Sequence, residues 1–60
     1  MTGDEAISAL ISEGAGEPGA RRAIARAAVH GCALASTPDG IAAIDYRGTY
    51  SVTVLQERES

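Results

Sequence analysis

Apolar positions change their spacing once along this chain, close to residue 31. Before that point they recur every three or four residues, and after it they alternate. Helix geometry brings residues three and four apart onto one face, and strand geometry brings every second residue onto one face. The pattern predicts two helices followed by β-strands.

In the first segment Ala6, Ile7, Leu10 and Ile11 share a helical face. Thr2-Gly3-Asp4-Glu5 has the form of a capping box, with a hydroxyl at the N-cap and Glu three residues later. Asp4 and Glu5 also lie where the helix dipole favours negative charge. A helix is expected over about 3–13, stopping at Gly14. Gly14-Ala15-Gly16-Glu17-Pro18-Gly19 is rich in helix breakers and reads as a loop, with Pro18 suited to a first helical turn. A second helix is expected over about 18–30. Ala20, Ala23, Ile24, Ala27 and Ala28 form its apolar face, while Arg22, Arg26 and His30 lie opposite at i, i+4, i+8. Gly31 fits a C-cap.

Beyond Gly31, two turn signals divide the alternating pattern into three strands, expected over about 32–36, 41–45 and 49–56. Thr37-Pro38-Asp39-Gly40 and Asp45-Tyr46-Arg47-Gly48 both read as a type I turn closed by a left-handed Gly, the three-residue hairpin loop. That loop would pair Thr37 with Ile41 in the first hairpin, setting Leu34 opposite Ile44 and Ser36 opposite Ala42. In the second it would pair Asp45 with Thr49, setting Ile44 opposite Tyr50 and Ala42 opposite Val52. One face would then carry Cys32, Leu34, Ala42, Ile44, Tyr50, Val52 and Val54, and the helices should cover it. The other would carry Ala33, Ala35, Ala43, Thr49, Ser51 and Thr53, with Ile41 and Leu55 as apolar exceptions. The expected fold is α+β, with two N-terminal helices on a three-stranded antiparallel meander (ααβββ). It forms a single small domain over 1–60, with residues 57–60 a frayed charged tail.

Composition makes this a fold short of bulk. The chain has 60 residues, and alanine supplies 12 of the 27 in its hydrophobic class, with no Phe or Trp. A chain of this length buries only about 60% of its unfolded surface and is marginal by itself. Disulfides, metals or another subunit usually supply the remainder. Cys32 is the sole cysteine, which excludes an internal disulfide, and one His with one Cys cannot build a closed four-ligand zinc site. A homo-oligomer, with a dimer favoured, is the remaining expectation.

The formal charge is −3, from five Arg and eight Asp plus Glu, which argues against a general nucleic-acid binder. The lack of Lys, Asn and Phe beside abundant Ala, Gly and Arg suggests a GC-rich genome, and a phage origin fits the small size. No basic n-region, signal-peptide core or membrane-length apolar run is present, and an unpaired Cys suits a reducing interior. A soluble, cytoplasmic protein is expected.

Candidate chemistry is sparse. His30 and Cys32 are a base and a nucleophile type, but the expected elements point them to different sides and supply no third, orienting group. Asp4 and Glu5 are accounted for by capping, Asp39 and Asp45 by turns. Gly14-x-Gly16-x-x-Gly19 matches a GxGxxG string, yet a helix rather than a strand precedes it, so it is no dinucleotide fingerprint. No catalytic residue, cofactor or metal site is expected. Two surfaces remain. Arg21, Arg22, Arg26 and His30 could meet phosphates or an acidic protein, and the helix–helix–hairpin order resembles part of a winged helix without its third helix. The last strand is uncharged, free of proline and at an edge, a template for pairing with another chain. Thr49, Ser51, Thr53, Leu55 and Ile41 are the residues expected to meet a second copy or a protein partner. The leading expectation is a small, non-enzymatic, self-associating regulatory or accessory protein. The alternative is a nucleic-acid module using the arginine face.

Overall fold

The computed structural model describes residues 1–56, so the expected frayed tail over 57–60 lies outside the described residues. Helix α1 spans Gly3–Ser12 and α2 spans Glu17–His30. They are followed by β1 (Cys32–Thr37), β2 (Gly40–Tyr46) and β3 (Tyr50–Gln56). The strands form one antiparallel sheet in the order β1-β2-β3, so the ααβββ arrangement is the one expected.

Local chemistry accounts for the helix ends. The Thr2 hydroxyl accepts from the Glu5 N–H at 3.2 Å, and the Glu5 carboxylate accepts from the Thr2 N–H at 2.8 Å, completing the capping box. At the other end of α1, Gly14 N–H donates to Ile11 and Ala15 N–H donates to Leu10. Together with φ +100° at Gly14, this is a Schellman ending. Helix α2 ends at Gly31, which adopts φ +88° and donates to the Ala27 carbonyl at 2.7 Å.

The core lies between the helices and one sheet face. Ala6, Leu10, Ala20, Ile24, Ala27, Ala42 and Ile44 are buried, with Ala15 and Ala23 beside them. Leu10 and Ile44 are the largest fully buried side chains, so the core is thin. Helix α2 packs on β1 and β2, and α1 packs on α2 and β3.

The strand register departs from expectation in both hairpins, with different consequences. In the second, a three-residue loop is present but begins one residue later, so Tyr46 pairs with Tyr50. Ile44 therefore faces Val52, not Tyr50, and Ala42 faces Val54, not Val52. Both strands move together, so each residue keeps its expected face. The two tyrosine rings, 4.6 Å apart between centroids, favour this closure.

In the first hairpin only Pro38 and Asp39 separate the strands. Thr37 pairs with Gly40, Leu34 with Ala43 and Ala35 with Ala42. This one-residue slip turns β1 over relative to its neighbours. Ala33, Ala35 and Thr37 now face the helices, and Cys32 and Leu34 face outward, Leu34 at 66% exposure. The two-residue loop sets this facing, and β1 lies against the alanine face of α2, where small residues on both sides allow close approach. A leucine inserted there would overpack the layer, at a cost of about 1–3 kcal/mol. The slip leaves the Thr37 hydroxyl buried and without a hydrogen-bond partner among the described residues.

Candidate functional site

Two surfaces emerge from this packing, the outer face of the sheet and the outer edge of β1. With β1 turned over, the outer face is built of three cross-strand rows. They are Cys32–Asp45–Ser51, Leu34–Ala43–Thr53 and Ser36–Ile41–Leu55. Ser51, Thr53, Leu55 and Ile41 are thus on the outer face, as expected, and Leu34 joins them. Leu55 is 50% exposed and Ile41 half-buried, so Leu34, Ile41, Ala43 and Leu55 make one apolar patch without a covering element among the described residues.

Thr49 has a different role. It precedes β3, and its hydroxyl accepts from the Met1 nitrogen at 2.6 Å and donates to the Met1 carbonyl at 3.1 Å. Met1 also exchanges backbone hydrogen bonds with Tyr50, at 2.9 Å each way. The chain's own N-terminal residue therefore pairs with the start of the β3 edge, and Thr49 serves that contact. Because Tyr50 directs its backbone groups outward, alternation directs those of Val52 and Val54 outward as well. The open part of this edge is shorter than expected.

The opposite edge follows the same logic. Tyr46 N–H donates to the Gly31 carbonyl at 2.9 Å, so Gly31, Ala33, Ala35 and Thr37 present their backbone groups to β2. Leu34 and Ser36 point theirs away from the sheet. Beside this edge runs a groove of about 400 Å³ between α2 and β1, lined by Arg22, Ala23, Arg26, Leu34, Ala35 and Ser36 among others.

The four candidate cations are not equivalent. Arg22 and Arg26 line this groove. Arg21 turns away and pairs with Glu17 at 2.9 Å, both well exposed. His30 is exposed in the last turn of α2. Arg47 instead joins Asp45, Thr49 and Ser51 around a second depression. No family model, no curated protein and no solved structure matches this chain.

Cys32, expected on the covered face, is exposed at the start of β1. Among the described residues no three His, Cys, Asp or Glu side chains converge as a metal site, and no helix is long and apolar enough to cross a membrane. Sequence reasoning missed Leu34 and Ser36, because Leu34 is the only large residue in β1 and large residues are placed inward by default.

Proposed function

We propose that this is a small, non-enzymatic protein that self-associates as a dimer and acts through protein–protein contacts, in a regulatory or accessory role. The supporting observation is the apolar patch of Leu34, Ile41, Ala43 and Leu55 on the outer sheet face. Contiguous apolar surface with nothing over it is characteristic of protein contact sites. The thin core supports the same reading, since a second copy would add the burial that one chain lacks. Thr53, paired with Ala43, and Ser51 in the next row would border the contact.

Sedimentation equilibrium at micromolar concentration tests the proposal. A dimer is expected for the wild type, and a folded monomer for Leu55→Lys. A wild-type chain that stays a cooperative, folded monomer at these concentrations overturns it. Duplex binding by the arginine face is the weaker reading, because Arg21 is tied to Glu17 and Arg22 and Arg26 border a groove rather than a broad basic surface.

A further inference from the structure

We infer that the groove between α2 and β1 is a docking site for an extended acidic peptide segment of a partner protein, added as a fourth strand along β1. This rests on the protein-contact role proposed above and identifies a partner class for it, on a surface that meets the outer-face patch at Leu34.

Three observations carry it. First, no strand among the described residues pairs with the outer edge of β1. Leu34 and Ser36 aim their N–H and C=O groups away from β2, which is what an incoming strand needs. Second, the groove beside that edge has a floor of small side chains, Ala23 and Ala35, leaving room for the side chains of an added strand. Third, its charge is positive although the chain as a whole is negative. Arg22 and Arg26 border it, and among the described residues neither pairs with a carboxylate. The nearby Glu17 is engaged by Arg21. The N-terminus of α2 adds to this, since its N-cap Gly16 lines the groove and offers no side-chain acceptor to the first N–H groups.

The spacing specifies the peptide. Side chains at i and i+4 on a helix stand about 5–6 Å apart. Two residues of a strand advance about 6.6 Å. A strand lying along β1 would therefore present carboxylates at alternate positions to Arg22 and Arg26. The intervening side chains would emerge on the outer face next to Leu34, where apolar residues are favoured. The expected ligand alternates acidic and β-branched apolar residues.

Fluorescence anisotropy with a labelled nonapeptide of alternating Glu and Val tests this. Saturable binding is expected, with amide shifts in ¹⁵N spectra concentrated at Leu34, Ser36, Arg22 and Arg26. The exposed double variant Arg22→Glu/Arg26→Glu should lose about tenfold or more in affinity and should gain binding to the matching Lys–Val peptide. An isomer with its glutamates contiguous should bind weakly. Leu55→Lys, which lies on the other surface, should retain binding, so loss of the dimer and loss of the groove are separable. Absence of binding at low salt overturns the inference. So does unchanged affinity in the double variant, equal affinity for the contiguous isomer, or preference for duplex DNA over the peptide.

Discussion

At the scale of single residues, glycine positions carry more of the fold than their size suggests. Gly14 and Gly31 both adopt positive φ, which costs a residue with a Cβ about 1–2 kcal/mol. Their surroundings differ. A Cβ on Gly14 would stand 2.7 Å from Pro38 Cδ, whereas one on Gly31 would meet nothing within 4 Å. Gly14 is where the α1–α2 loop touches the β1–β2 turn, so two connections far apart in sequence lock together there. Gly31→Ala is expected to lose only the backbone term, about 1 kcal/mol. Gly14→Ala should lose that and a further ~1 kcal/mol or more from the clash. Urea denaturation of the two variants checks the ordering. Equal losses would mean that the Pro38 contact is not constraining.

At the scale of elements, the informative case is β1. Its even positions hold Cys32, Leu34 and Ser36, and its odd positions hold Ala33, Ala35 and Thr37. Taken alone, the strand buries more apolar surface with Leu34 inside. Packed against α2, it buries alanines, because the helix above presents Ala20, Ala23 and Ala27 at close range. The register makes a sharp expectation. Ala35→Lys places a charge between sheet and helix and should abolish the dispersed amide spectrum of the folded protein. Ser36→Lys places the charge on the outer face and should leave that spectrum folded. The reverse outcome would restore the three-residue loop at the first turn.

At the scale of the whole molecule, the deciding quantity is how little the chain buries. Among the described residues, the buried large aliphatic side chains are Leu10, Ile24 and Ile44. Leu10→Ala removes one of the two largest fully buried side chains, and such changes cost about 2–5 kcal/mol. In a chain this small that is expected to unfold a large fraction of the population, read by circular dichroism at 25 °C. If the outer-face patch joins two copies, the urea midpoint of the wild type should also rise with protein concentration, because association stabilises only the folded form. A midpoint independent of concentration over a hundredfold range contradicts the dimer. The same turned strand thus feeds both proposed surfaces, Leu34 by its side chain on the outer face and by its backbone along the groove.

Most of the architecture was legible in the sequence, because local chemistry specifies it. The capping box at Thr2 and Glu5, the stop at Gly14, the cap at Gly31 and the period change after it place the helices and strands without reference to anything distant. The faces of β2 and β3 were legible too, since Val52 and Val54 alternate with Ser51 and Thr53, and the antiparallel pairing carries that facing to Ala42 and Ile44. The facing of β1, the Met1 pairing with Tyr50 and the grouping of Arg22 and Arg26 beside an open edge were not. Each depends on which surfaces meet in space. A strand with one leucine and two alanines favours its leucine inward when taken alone, but the layer packed above it decides which side chains fit.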